Sequence, residues 1–412
     1  MRHEPSSARA TGLAALLLLA ATTLPAQAQG EPETRDFADI LAAAEGQTVY
    51  WNAWGGDPAT NDFIAWVGEE VRERHGVSVV HVKLSDTAEA VSRVLAEKAA
   101  GRDEGGAVDL IWINGPNFLA MKEESLLHGP FVEALPNFAL VDTQEKPSNV
   151  VDFTVPVEGL AAPWRIAQVA YLYDVEAVDA AALPGSIPEM RTWAEANPGR
   201  LTHPTARDFM GTTFLKQALV ELVDDRAALQ EPATDETYAQ TVAPLWDWYD
   251  ALRPNLWRAG AEFPESGPAQ NQLLADGEID MAITFNPAEA AAGAIQGRLP
   301  ETIRVFFLED GTIGNTSFVA IPYNAAHKEG AMVVANFLMS PEAQARGQDP
   351  ANLGAFTVLD LSRLSPDERA AFDQSDAHPA MPAPEEFVRV LPEPHPSWMT
   401  RLVADWERRI SG

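Results

Sequence analysis

Between residues 48 and 113 the chain alternates strand-like runs with helix-like stretches, and this pattern restricts the fold more than any other feature. Residues 48–54 (TVYWNAW) form a short apolar run of strand length, ended by Gly55-Gly56-Asp57-Pro58. Residues 61–75 then place Phe63, Ile64, Val67 and Val71 at helical spacing, with Gly76 where a helix C-cap belongs. Residues 77–84 alternate as a second strand, and 87–100 carry Ala88, Val91, Val94, Leu95 and Ala99 as a second helix. Residues 108–113 (VDLIWI) are a compact third strand, punctuated by Asn114-Gly115-Pro116-Asn117. Strand-helix-strand-helix-strand predicts an α/β fold opening on a parallel, doubly wound sheet.

Ahead of this unit lies an address. Arg2 and Arg9 give a basic start, residues 11–24 are Leu/Ala-rich, and Ala26-Gln27-Ala28 has the small-x-small form of a cleavage site. Residues 1–28 therefore read as a signal peptide, and the run is too short to span a membrane. The chain has no cysteine, which excludes disulfides, thiolate metal sites, a cysteine nucleophile and a lipid-anchored N-terminus. With 60 acidic and 29 basic residues the formal charge is −31. Nucleic acid and anionic membranes both need a basic face, so neither is an expected partner. The expectation is a soluble periplasmic protein.

The rest of the chain is less regular. Further strands are expected at 169–173, 200–203, 278–285, 302–308 and 317–321. Helices are expected at 188–196, 209–222, 234–252, 330–339 and 396–410, the last with Trp398, Leu402 and Trp406 on one face. The residues between 311 and 316 read as a polar loop. Catalytic signatures are missing: there is no GxSxG, SxxK, HExxH, GxGxxG or phosphate loop, and the eight histidines are scattered. No metal site, cofactor or catalytic residue is assigned.

Several stretches together resemble the periplasmic solute-binding proteins of ABC importers, the group with thiamine-, ferric-iron- and polyamine-type receptors. They are AWGG at 53–56, VDLIWINGPNF at 108–118, GLAAPW at 159–164, GRLTHP at 199–204, ADGEIDMAITFNPAEA at 275–290 and SFVAIPYNAAHKEGAMVVANFLMSPEAQA at 317–345. The resemblance implies a two-lobed periplasmic-binding-protein fold of type II, each lobe a doubly wound sheet. The chain would cross twice between lobes and close on a ligand. Lobe one would be 29–163 plus 309–412 and lobe two 168–308, with loop-like hinges near 162–168 and 309–316. The implied partners are a small solute and an inner-membrane permease with its ATPase. The receptor would be a monomer performing no chemistry. An exported hydrolase or transferase using the same cleft, and a sensory receptor, are the alternatives.

Ligands of open parallel sheets sit beyond the C-terminal strand ends. That rule selects Trp54, Gly55 and Gly56 after the first strand, and Asn114, Gly115 and Asn117 after the third. Trp164 and Arg165 stand at the first crossing, where Arg165 can clamp a carboxylate or phosphate or join an interlobe salt bridge. Asp208 is an expected N-cap, putting Phe209, Gly211 and Thr212 in a first turn with free N–H groups. Asn286 ends a strand of the second lobe, and Asn315 and Thr316 lie in the second crossing. The ferric-iron receptors place adjacent tyrosines where this chain has Phe285-Asn286, which disfavours iron. No decisive carboxylate pair for a polyamine stands out, and Glu262, Asp280 and Glu309 are candidates by rough position alone. Trp51, Trp54, Trp164 and Phe209 suit a cationic or aromatic, thiamine-like solute, and core packing explains them equally well.

Overall fold

The computed structural model describes Met1 and residues 32–373 and 378–411; the expected signal peptide at 1–28 lies outside the described residues, apart from Met1. The opening unit folds as the alternation requires. Strands β1 (Thr48–Trp54), β2 (Ser78–Leu84) and β3 (Leu110–Ile113) pair in parallel, with β1 between the other two. The helix Pro58–His75 starts at an Asp57 cap that accepts from the Thr60 amide and stops at Gly76 in the left-handed region, φ 68°. Its buried residues include Phe63, Ile64, Val67 and Val71, the stripe its periodicity marks out.

After a small hairpin of β4 (Val151–Asp152) and β5 (Val155–Pro156) come β6 (Ala161–Gln168) and β7 (Ala170–Asp174). β7 begins a second sheet, in which it runs antiparallel to both β8 (Met281–Thr284) and β9 (Ile303–Phe306). The chain then returns through β10 (Thr312–Ala320), antiparallel to β6 and to β3. β11 (Val390–Leu391) pairs in parallel with the start of β10.

Each sheet has apolar clusters on both faces. In the first, Trp51, Val67, Trp164 and Val334 belong to one cluster, and Ile111, Phe118 and Phe318 to another. In the second, Tyr171 and Tyr173 feed one cluster while Ala170 and Leu172 feed the other, as alternate residues of a strand must.

Three expectations need correction. The crossings are not loops: residues 162–168 lie in β6 and residues 312–316 in β10, and the antiparallel ladder between them satisfies the backbone groups that a loop would leave to water. The stretch 234–252 is two helices, Asp235–Thr241 and Ala243–Leu252, because Pro244 in the first turn of the second helix ends the first. The chain also crosses a third time. Its final helix, Pro396–Ser411, buries Trp398, Leu402 and Trp406 in the cluster of Tyr171 and Phe214, the core of residues 168–308. An apolar stripe that size needs a core to enter, and the second core has room for it.

Candidate functional site

β1, β3, β6 and β10 bring Trp54, Asn114, Arg165 and Ser317 to one edge of the first sheet: Ser317 pairs with Arg165, and Phe318 with Ile113, the residue before Asn114. The second lobe faces this edge with Phe209 and Phe285, whose rings are 5.3 Å apart. The lobes touch here. Asn286 donates from Nδ2 to the Leu353 carbonyl at 3.3 Å, and a Cβ on Gly354 would stand 2.8 Å from that of Ala288.

Arg165 is the notable cation of this cleft. The ladder shifts register between Ser317 and Phe318, whose partners are Arg165 and Pro163, leaving Trp164 as the extra residue. Such a bulge re-aims its side chains. Trp164 goes into the core, 2% exposed, beside Trp51, Phe63 and Trp112. The half-buried Arg165 lies against the same aromatics, its guanidinium carbon 4.5 Å from the Trp112 ring and 5.1 Å from that of Trp164. Nε donates to Ser317 Oγ at 3.4 Å. Burial pulls its pKa down to about 10, with Asp57 acting weakly the other way. The interlobe salt bridge allowed for Arg165 is not formed with any described residue.

Beside this cleft lies a buried polar network. Asn114 donates from Nδ2 to Asp152 Oδ1 at 2.9 Å and to the Thr316 carbonyl at 2.6 Å, and the Gly115 amide donates to Asp152 Oδ2 at 2.6 Å. Burial raises the Asp152 pKa to about 7 against those two donors. Lys216, from the helix Phe209–Leu222, donates to both oxygens of Glu393 at 2.9 and 2.7 Å, and Asn315 Nδ2 donates to Glu393 Oε1 at 2.9 Å. The Lys216 ammonium also sits 4.6 Å from the Phe153 ring of the first lobe and 4.8 Å from Phe209. Burial pushes Lys216 down and Glu393 up, while their mutual attraction opposes both shifts. A cavity of about 880 Å³ adjoins the network, walled by Lys146, Phe153, Ile166, Phe356, Val390 and Glu393 among others.

The sequence-selected residues therefore divide. Trp54 and Arg165 stand at the first-lobe edge and Phe209 and Asn286 on the second lobe, where Asn286 crosses to Leu353. Asn114, Gly115, Asn315 and Thr316 belong to the network, where the Thr316 hydroxyl lies 2.9 Å from Ser148 Oγ and from Asn149 Oδ1. Asn315 also lines the cavity. Asn117 is a half-buried residue of the helix Gly115–Glu123. Gly55 and Gly56 sit under side chains: a Cβ on Gly55 would come within 2.6 Å of Lys83, and one on Gly56 within 2.4 Å of the Trp54 ring.

Trp51, Trp164, Gly211 and Thr212 are structural and offer no surface to a ligand. The tryptophans are core. Thr212 donates to the Ala206 carbonyl at 2.5 Å, and a Cβ on Gly211 would strike the Thr205 and Pro204 carbonyls at 2.1 and 2.3 Å. Asp208 caps its helix by accepting from the Met210 amide. The polyamine candidates Glu262 and Asp280 are held by Arg258 and Arg200, and Glu309 packs on Gly185. Lys216, Glu393, Asp152 and Trp112 are not among the residues selected from sequence; Trp112 lies within the VDLIWINGPNF stretch, and no motif marks the other three.

Among the described residues no group of three or more His, Asp or Glu is placed to hold a metal ion, and no helix is long and apolar enough to cross a membrane. In comparisons with known proteins, the chain is 42% identical over 375 residues to Protein YnjB of Escherichia coli (strain K12), covering 91% of this chain and 94% of that one. Its fold is similar to that of the substrate binding protein of an ABC transporter from Agrobacterium tumefaciens, with TM-score 0.61 and 15% identity over 89% of this chain and 94% of that one. It is likewise similar to the periplasmic binding protein AfuA of Actinobacillus pleuropneumoniae, solved with fructose-6-phosphate, with TM-score 0.59 and 14% identity over 89% and 99%. Residues 66–357 match the bacterial extracellular solute-binding proteins, and the chain belongs to that family.

Proposed function

We propose that this protein is the substrate-binding component of an ABC importer. It captures one small solute between its lobes and hands it unchanged to a membrane permease and its ATPase. The observation that carries this reading is the architecture of two separately packed cores joined by the β6–β10 ladder, with Asn286 of the second lobe reaching the Leu353 carbonyl of the first where the lobes touch. A solute that contacts both lobes only when they are shut shifts the population toward closure. The family and the Agrobacterium tumefaciens neighbour support the same role. Export through residues 1–28 and action as a monomer in the periplasm complete the reading. A cationic, thiamine-like solute is the less supported class, because the free charge in the cleft is itself positive.

The test is native mass spectrometry of the freshly purified protein, paired with solution scattering before and after the solute is removed. A bound solute of fixed mass, and a larger radius of gyration once it has gone, are expected. A rigid particle, or a solute released chemically altered, would refute the proposal.

A further inference from the structure

Arginine is the costliest side chain to leave without a counter-charge as solvent is withdrawn. Other arginines of this acid-rich chain meet that cost with a carboxylate or with carbonyls: Arg200 is held by Asp280, Arg298 by Glu289, and Arg35 by Glu33 and Glu329, while Arg253 and Arg304 give N–H groups to backbone carbonyls. Arg165 differs. No described carboxylate lies within 4.0 Å of it, and its Nη atoms have no protein partner among the described residues. The flat guanidinium is fixed by Trp112 and Trp164, which hold it in place without using its N–H groups.

Asp57, the acid that acts on Arg165, and Glu289, which Asp57 acts on in turn, are both already engaged. Asp57 accepts from the Thr60 amide at 2.9 Å and from its hydroxyl at 2.8 Å, capping a helix. Glu289, reaching in from the second lobe, is held by Arg298 and Asn271, each at 3.1 Å. Asp57 interacts electrostatically with both Arg165 and Glu289, which links the first-lobe cation through Asp57 to an acid of the second lobe.

We propose that Arg165 is the anion-binding residue of the cleft, and that the solute carries a carboxylate or phosphate group which becomes its counter-ion when the lobes close. The planar fork accepts either oxyanion through two parallel hydrogen bonds. The bulge at Trp164 is the device that presents it. This inference rests on the receptor reading and narrows it to a substrate class.

The experiment uses the full chain and its Arg165→Gln and Arg165→Lys variants. Each is examined by native mass spectrometry for co-purified solute, then by calorimetry with succinate, inorganic phosphate, glucose 6-phosphate, glucose and putrescine. The expected result is an acidic solute on the parent protein. Either the succinate or the phosphate arms should bind, which separates carboxylate from phosphate. Arg165→Gln should weaken that binding about 10- to 150-fold. Arg165→Lys keeps the charge without the fork and should fall between. Unliganded melting temperatures close to the parent's show that the variants fold. A neutral or cationic solute, or anion binding within threefold of the parent's in Arg165→Gln, overturns the inference and leaves the receptor standing. A parent chain that carries no solute and answers none of the five probes removes the receptor reading and this inference together.

Discussion

Gly211 shows how a residue chosen for one physical reason can be needed for another. Its place in the first turn behind Asp208 suggests an amide offered to an anion. In the folded chain it is the point where the helix Phe209–Leu222 presses against the carbonyls of Pro204 and Thr205. Alanine ordinarily stabilises a helix relative to glycine. Here its methyl would stand 2.1 Å from a backbone oxygen, which no side-chain rotation relieves. Gly211→Ala should therefore lower stability by about 1–3 kcal/mol, read as a drop in the denaturant midpoint; an unchanged or higher midpoint would contradict the close approach. The Asp208 cap was legible in the sequence because capping is local. The role of Gly211 was not, because the atoms it meets arrive through tertiary folding. Arg165 was legible as a cation at the first crossing, but its lack of a carboxylate partner depends on where every nearby acid goes.

At the scale of elements, the C-terminal helix shows the same division. The spacing of Trp398, Leu402 and Trp406 announces an apolar face, but nothing local says which core receives it. The answer lies in a hydrogen-bonded chain: Trp406 Nε1 donates to Tyr249 Oη at 2.8 Å, and Tyr249 Oη lies 2.9 Å from His203 Nε2. His203 Nδ1 is 2.6 Å from the Pro204 carbonyl, which fixes the neutral ring with its proton on Nδ1. Burial lowers the His203 pKa to about 4. The unfolded chain then binds more protons than the folded one between pH 6.5 and 4, so stability falls on acidification across that window, by up to about 3 kcal/mol from this group. Chemical denaturation at pH 7 and pH 4.5 should show a smaller loss in His203→Gln than in the parent; equal losses would exonerate the ring. The segment leading into this helix delivers Glu393 to Lys216. Lys216→Met strands a buried carboxylate and should cost about 3–5 kcal/mol. Adding Glu393→Leu should recover a large part of it, so a double variant no better than the single would show that the pair is not the source.

For the whole molecule, two cores and three passages of chain between them set what closure can be. β6 and β10 hold the lobes through one antiparallel ladder, broken at the Trp164 bulge, and the segment through β11 ties the last helix of the second core to the start of β10. A lobe motion must flex these passages together, so its extremes are set by the surfaces that collide. On the cleft side that surface includes Ala288 of the second lobe against Gly354 of the first. A larger side chain at Ala288 is a wedge: it leaves both sheets intact but stops the lobes short of contact. If closure is what holds the solute, Ala288→Leu should keep its melting temperature within a few degrees of the parent's. Its solute-loaded radius of gyration should be the larger of the two, and its affinity about 5- to 150-fold weaker, the range that a coupling of about 1–3 kcal/mol between closure and binding produces. Undiminished affinity in a molecule shown by scattering to be held open would mean that one lobe alone makes the complex, and the collision at Ala288 would then have no bearing on capture.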